Sequence, residues 1–483
     1  MAKSIRQNYI YNVLLNISKV IFPLITAPYV SRVLEPDGVG LFNFANTYAG
    51  YFALFAALGI PYYGIREVAK YKDDVESQTK FISEIISISI IATLVSSTLM
   101  FLSLVLVPQL NDNYLLFIVA GIVLYTTPFK IDWFFQGKEE FGYITFRSLV
   151  IKILSVILLF VIVRDKSDLL LYVALNACCS ALNEVWNYIK LIRCGIHPYF
   201  TLSGRKHIKP LFVLFSSTVA ISVYTILDTL MLGFMTNYDQ VGYYYCATHI
   251  SKAVLPLVTS LAAVVLPRVT QLKEIGNWEE INILMNKSFS IVSFLSFPIA
   301  FGIIALAPAF VPLFFGEMYY GSIIPLQIII LTVIVIGFNN LTGIQILLGF
   351  GYDKYFLYSI LSGTIINFVL NIMMIPMLGA AGAAISSVIA EILILAIMLC
   401  FIYKNTTIRF QNLKETLQNI IIASFFFVIA YFIFNYHKDW EGVGIVVAVC
   451  MALYLSSQYF LRNKTEKEIV SIIRNKVFNS HNS

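Results

Sequence analysis

Lys19, Lys152 and Lys252 each stand inside a long apolar run of the chain. An ionised side chain at mid-bilayer costs roughly 2.5–3.5 kcal/mol on insertion scales, so it ordinarily faces a cavity or a partner. Asn8, Asn12, Asn16 and Lys19 fall at helical spacing and line one helix face as a polar stripe. Tyr245, His249 and Lys252 repeat that spacing, as do Ser222, Thr225 and Asp228, while Asn367 and Asn371 add a further polar pair. Ammonium groups gathered in a low-dielectric cavity pair strongly with a diphosphate. Lys19, Lys152, Lys252 and Lys130, with Asn12 and Asn16, are therefore the candidate substrate-binding residues. Internal ion pairs, such as Lys252 with Asp228, would account for the same lysines, and Lys130 is close enough to a span end to reach the interface. Asp228, Glu184 and Glu391 are carboxylates inside spans that could carry a coupling proton or sodium ion, or serve as structural partners. His249 fits an interhelical hydrogen bond better than a proton relay.

These residues need membrane helices to position them. Of 483 residues, 59% are hydrophobic and only 12% are charged, and the mean hydropathy is +0.80. A soluble domain carries about 25% charged residues, so a soluble fold could not cover its surface with this supply. The bilayer tolerates such a composition, and the fold class expected is all-α integral membrane. With about 20 apolar residues per span, there are fourteen expected transmembrane helices. They lie near 8–34, 39–60, 81–107, 114–136, 144–163, 168–192, 208–235, 241–267, 287–315, 321–348, 355–376, 381–403, 417–436 and 441–461. The first is read as a retained span, since it is too long for a signal-peptide core.

Lys and Arg set the orientation. With the N-terminus inside, 25 of the 33 basic residues fall on inner segments. Only Arg32, Arg164, Lys166 and Lys438 fall outside, and Lys19, Lys130, Lys152 and Lys252 lie within spans. Both termini are thus expected in the cytoplasm. The net charge of +6 is a topology signal rather than a nucleic-acid surface. Six scattered cysteines without a C-x-x-C pair suggest neither a disulfide framework nor a zinc site. No phosphate loop or H-E-x-x-H motif occurs, so no cofactor is expected and any work must draw on gradients or a partner. The aromatic clusters Tyr243-Tyr244-Tyr245 and Tyr319-Tyr320 suit an interfacial belt.

An internal repeat is visible. Asp37-Gly38-Val39-Gly40-Leu41-Phe42 follows the first span and Asp239-Gln240-Val241-Gly242-Tyr243-Tyr244 follows the seventh. The layout expected is a six-helix bundle over 1–207, a second over 208–410, and two additional helices with a basic tail over 411–483, with a substrate cavity between the halves.

Four stretches carry a family resemblance: Ser31–Leu41, Asp132-Trp133-Phe134-Phe135-Gln136-Gly137-Lys138-Glu139-Glu140-Phe141, Pro376–Ala384 and the Asp239–Tyr244 repeat. With length and span count, the chain resembles oligosaccharide flippases of the Wzx type, in the multidrug/oligosaccharidyl-lipid/polysaccharide (MOP) exporter superfamily. The resemblance implies two MATE-like bundles with alternating access to a central cationic cavity, and transport rather than enzyme catalysis. It implies an undecaprenyl-diphosphate-linked oligosaccharide as substrate, moved across a bacterial cytoplasmic membrane for O-antigen or capsule synthesis. A proton or sodium antiport and polysaccharide assembly partners are implied as well. Within the superfamily, a multidrug cation extruder and a peptidoglycan-precursor flippase are the alternatives. A lysine-rich cavity suits organic cations poorly. A polysaccharide polymerase would need a sizeable outer loop with catalytic groups, which the short outer connections do not supply.

Overall fold

A chain with this little charge must satisfy its backbone hydrogen bonds internally once in lipid, which leaves helices as the solution. The computed structural model describes residues 5–71 and 74–461, and among them the regular structure is helical throughout. The protein is an all-α, multi-pass membrane protein. Ten helical segments among the described residues are long and apolar enough to cross a membrane, with shorter apolar helices at Tyr114–Phe129 and Ile226–Met235. Lys3, Lys72 and the basic tail from Arg462 lie outside the described residues, as do the side chains of Arg6, Ser222 and Thr225.

The first two expected spans form one helical run, α1 (Ile5–Ala57), interrupted only at Glu35, whose φ is 59° and ψ 174°. Glu35 precedes Pro36, whose ring disfavours a helical conformation in the residue before it. A non-glycine residue in this region carries strain of order 1–3 kcal/mol. Lys166 braces the turn by donating to Glu35 Oε2 at 2.7 Å and Asp37 Oδ1 at 2.9 Å. After a break at Leu58-Gly59 comes the short helix α2 (Ile60–Tyr71), then α3 (Val75–Leu106), whose N-cap Asp74 accepts from the backbone N–H groups of Glu76 and Ser77.

The expected span over 114–136 is not continuous. It runs as short helical pieces from Tyr114 to Phe129, broken near Gly121 and Pro128, and Asp132–Gly137 forms a separate helix, α4. The buried Trp133, Phe134 and Phe135 of α4 pack with Tyr63 and Val68 of α2 and Phe81 and Ile85 of α3. The D-W-F-F stretch thus anchors a core rather than ending a span. Next come α5 (Phe141–Ile162), α6 (Leu169–Arg193) and α7 (Arg205–Met235). The link between α6 and α7 is tied to α3, where Ser83 and Ser87 accept from the backbone N–H of Tyr199 and Thr201.

Helices α8 (Tyr238–Thr259) and α9 (Leu261–Glu274) meet at Ser260, so the span expected over 241–267 is likewise two helices. The break at Ser260 follows the second repeat motif, which lies in α8, as the Leu58-Gly59 break follows the first. Then come α10 (Trp278–Phe315), a segmented stretch from Glu317 to Leu348 that ends in a π-helical turn, α11 (Asp353–Leu378), α12 (Ala380–Asn405), α13 (Leu413–Phe434) and α14 (Trp440–Phe460). The last two helices pack on α10 through Phe294, Ala423, Phe426 and Tyr454. Polar contacts fix their register: Asn419 donates to Ser293 at 2.9 Å, Gln458 to Asn419 at 2.7 Å and Tyr454 to the Phe294 carbonyl at 2.9 Å. Cα packing divides the chain into two compact units, Met1–Gly242 and Tyr243–Ser483.

Candidate functional site

In the first unit, α5 lies beside the N-terminal half of α1. Thr145 donates to the Tyr11 carbonyl at 3.0 Å, Lys152 Nζ to Ser18 Oγ at 2.8 Å, and Tyr29 to the Val163 carbonyl at 2.6 Å. These tethers bring together two lysines that are far apart in sequence. Lys19 and Lys152 line one cavity of about 290 Å³, with Thr26 of α1, Ser155 of α5, and Tyr172 and Asn176 of α6. The Lys152 ammonium also sits 5.7 Å from the centre of the Phe22 ring. Lys19 Nζ donates to Asn16 Oδ1 at 3.2 Å, and Asn16 donates to Asn12 Oδ1 at 3.2 Å. Three of the four residues of the stripe inferred from spacing, Asn12, Asn16 and Lys19, therefore form a hydrogen-bonded ladder ending at the cavity. Among the described residues, neither lysine joins an ion pair. Two uncompensated ammonium groups, hydroxyls, an amide and an aromatic ring favour an anion carrying hydroxyl groups.

The other candidates lie elsewhere. Lys130 is exposed and lines a separate crevice of about 20 Å³ with Ser89, Thr127 and Trp133. Lys252 is on α8 in the second unit, exposed, one turn from His249, whose ring packs against Tyr245 at 5.5 Å. Asp228 is buried in α7 of the first unit. Glu391 is buried in α12, where its carboxylate accepts from Asn339 Nδ2. Asn367 accepts from Asn371 at 3.2 Å in α11.

Glu184, 5% exposed, borders a polar cluster that pins α4, α5 and α6 together. Arg147 donates to Asp132 Oδ1 at 2.8 Å and to Asn183 Oδ1 at 3.2 Å. Asn187 donates to the same Asp132 oxygen at 2.9 Å. Sequence position placed Arg147 among inner-loop charges, yet it is only 1% exposed. A second cluster was not singled out from sequence at all. His207 Nε2 meets Glu84 Oε2 at 2.8 Å, its Nδ1 meets the Tyr63 hydroxyl at 2.7 Å, and Lys206 pairs with Glu84 at 2.9 Å. Its members stand at positions 63, 84, 206 and 207, on α2, α3 and α7, and no local spacing joins them.

The second unit contains a cavity of about 390 Å³ whose walls are almost wholly apolar, built from α8, α10, α13 and α14. Val254, Pro298, Gly302, Phe426, Met451 and Leu455 are among its lining residues.

A family model described as "Polysaccharide biosynthesis protein" matches residues 5–273, more than half of the chain. The chain belongs to the polysaccharide biosynthesis protein family. Consistent with that membership, it is 27% identical to a protein of Escherichia coli (strain K12) named "Putative O-antigen transporter", over 83% of this chain and 97% of that protein. It is 21% identical to the "Lipid II flippase MurJ" of Bacillus subtilis (strain 168), over 94% of this chain and 93% of the relative. The fold is similar to a solved MurJ structure in an inward closed conformation, with a TM-score of 0.73 at 16% identity, covering 94% of this chain and 99% of that one. It is also similar to an inward-facing MATE family multidrug resistance transporter of the MOP superfamily, with a TM-score of 0.59 at 13% identity over 80% and 94% of the two chains. The family member described here thus has a transporter fold of the kind the four sequence stretches suggested.

Proposed function

We propose that this protein flips an undecaprenyl-diphosphate-linked oligosaccharide from the inner to the outer leaflet of the bacterial cytoplasmic membrane, for assembly of a surface polysaccharide such as O-antigen or capsule. The observation that carries the reading is the Lys19/Lys152 cavity. Each ammonium–phosphate contact near 4 Å is worth about 4 kcal/mol before desolvation at an effective dielectric of about 20. The hydroxyl and amide groups beside the lysines suit the first sugar of the glycan, and Tyr172 offers an aromatic edge. The apolar cavity of the second unit suits part of an isoprenoid chain, because it offers hydrocarbon contact with almost no polar group to desolvate. The E. coli and B. subtilis relatives carry names that speak of O-antigen and lipid II, which supports a lipid-linked glycan as the cargo.

In this reading, residues 1–207 and 208–410 are the two moving bundles and 411–483 an added pair of helices with a tail. Access alternates between the two sides, both termini are cytoplasmic, and the protein performs transport without bond chemistry. A proton or sodium gradient drives the cycle through carboxylates such as Glu184, Asp228 or Glu391, and polysaccharide assembly enzymes supply and consume the cargo. A cation extruder fits less well, since two uncompensated ammonium groups repel an organic cation. Purified protein in vesicles, loaded with the lipid-linked oligosaccharide in one leaflet, tests the proposal. Protein-dependent transfer to the other leaflet is expected, and its dependence on an imposed proton or sodium gradient identifies the coupling ion. Absence of transfer together with efflux of a cationic dye would overturn the reading in favour of drug extrusion.

A further inference from the structure

Exposure along α3 marks where the hydrocarbon layer begins. Its N-cap and first turns expose Asp74, Glu76 and Lys80, whereas from Ile91 onward the exposed positions are mostly apolar, among them Leu94, Val95, Leu99 and Leu102. At 1.5 Å of rise per residue, the boundary falls within the roughly 16 Å between Lys80 and Ile91. The link between α6 and α7 crosses α3 at this level. Tyr199 and Thr201 donate their backbone N–H groups to Ser83 and Ser87. A Cβ added to Gly204 would stand 2.9 Å from Ile88 Cδ1 and 3.2 Å from the Glu84 carbonyl oxygen. The backbone of the link is thus held against α3, while Tyr199, Phe200 and Leu202 are each more than half exposed. Aromatic and apolar side chains at this level find their solvent among the headgroups and upper acyl carbons.

α7 begins where the link ends, and its two faces differ. His207, Leu211 and Phe215 are buried at four-residue spacing. Arg205, Ile208, Lys209, Phe212 and Val213 are exposed and fall on one stripe, at i, i+3, i+4, i+7 and i+8. That stripe is basic at its start and apolar beyond. Lys206 is paired with Glu84, but among the described residues Arg205 and Lys209 join no ion pair. The local sequence supplies no counterion, since no Asp or Glu occurs between Glu184 and Asp228. A guanidinium and an ammonium one turn apart suit a phosphodiester. The apolar strip that continues from them suits an acyl chain, and basic pockets at a membrane surface bind anionic lipids. A protein partner would have to displace lipid to reach the upper part of this strip.

We propose that the α6–α7 link and the start of α7 form a binding surface for an anionic phospholipid. Its headgroup meets Arg205 and Lys209, and its acyl chain lies along Ile208, Phe212 and Val213. The surface is distinct from the Lys19/Lys152 cavity. In the orientation proposed above, it faces the inner leaflet.

The test uses the full-length protein without its six native cysteines, labelled with bimane at Leu202→Cys, in phosphatidylcholine nanodiscs. A quencher is added as phosphatidylglycerol or, in a parallel series, phosphatidylcholine, each carrying a nitroxide on its acyl chain. The phosphatidylglycerol should quench at a several-fold lower mole fraction than the phosphatidylcholine. Arg205→Gln and Lys209→Gln should each cut this preference, by up to about 5-fold, and the double variant should abolish it. The preference should also fall as salt is raised. Bimane at Leu99→Cys, on the exposed side of α3, should show none. Equal quenching by the two lipids at Leu202→Cys would overturn the proposal, as would a preference that survives the double variant or appears equally at Leu99→Cys. Quenching by neither lipid would overturn it in favour of a protein covering the link. Arg205 and Lys209 are exposed, so their Gln variants should fold as the native chain does. The readout needs no cargo, so the lipid surface stands or falls separately from the flippase assignment, which the leaflet assay decides.

Discussion

Replacing Lys152 by Met keeps an unbranched side chain only one heavy atom shorter and deletes its charge. In the structure the ammonium makes one hydrogen bond, to Ser18 Oγ at 2.8 Å, and a 5.7 Å contact with the Phe22 ring. Ser18 keeps a partner without it, because its hydroxyl also donates to the Leu15 carbonyl at 2.7 Å. No buried polar group is orphaned, so the stability change should stay below about 1 kcal/mol. Binding should suffer far more. Phosphate and ammonium both give up hydration when they meet, which reduces the Coulomb attraction to the net worth of a charged hydrogen bond, about 1.5–3 kcal/mol. At 1.4 kcal/mol per decade, that predicts a half-saturating substrate concentration raised about 10- to 150-fold.

The assay is the initial rate of leaflet transfer against substrate density in vesicles, for the native protein and for Lys152→Met, Lys152→Arg and Lys19→Met. Lys152→Arg keeps the charge and should retain most of the affinity. Lys19 is more exposed, so Lys19→Met should cost less than Lys152→Met. If both lysines hold one diphosphate, the double variant should depart from additivity, as neighbouring groups sharing a partner do. An unchanged half-saturating density for Lys152→Met in a folded protein would refute the reasoning, as would strict additivity of the two lysine variants.

Arg147→Met strips Asp132 of its buried cation, and removing one member of a buried pair costs about 3–5 kcal/mol; the Asp132 side chain is 29% exposed, which favours the lower end, and a large drop in the thermal midpoint should follow. His207→Ala leaves Glu84 and Tyr63 without their shared partner, for a loss of about 1–3 kcal/mol in unfolding measurements, tempered by the Lys206–Glu84 pair that remains. An unshifted midpoint in either variant would show that the cluster contributes little. Gly302→Leu fills the apolar cavity from a position whose Cβ would meet only Phe426, at 3.9 Å. The fold should persist while transfer of a long-chain polyprenyl substrate falls and that of a short-chain analogue does not; an equal fall for both would detach the cavity from the lipid chain.

The fold class was legible because bilayer physics acts on local composition: a run of about 20 apolar residues is a helix wherever it occurs. What local composition could not show is continuity. Residues 114–136 read as one span, yet Gly121 and Pro128 divide the run and Asp132 begins a separate helix. The break at Glu35 was placed correctly between two spans, but its single-residue form depends on Pro36 and on Lys166, which lies some 130 positions away. The polar stripe Asn12–Asn16–Lys19 was readable from helical spacing alone and is present as a hydrogen-bonded ladder. Lys152 was grouped with Lys19 from sequence only as another charge inside a span; that the two line one cavity depends on how α5 lies along α1. Arg147 shows the same limit from the opposite direction. A charge near a span end looks like a loop residue until Asp132, Asn183 and Asn187 are seen to enclose it. The repeat lies between these cases. Similarity of Asp37–Phe42 to Asp239–Tyr244 was visible as a pattern, and the pattern implies a shared local conformation. A contact between two copies of one conformation is a stronger statement, because each glycine must find the other motif's carbonyl. The four-position offset from Pro36 to Gly40 and from Tyr238 to Gly242 is written in the sequence, but only the folded chain turns it into reciprocity, because a Cβ added to Gly40 would stand 1.8 Å from the Tyr238 carbonyl oxygen and one added to Gly242 2.1 Å from the Pro36 carbonyl oxygen.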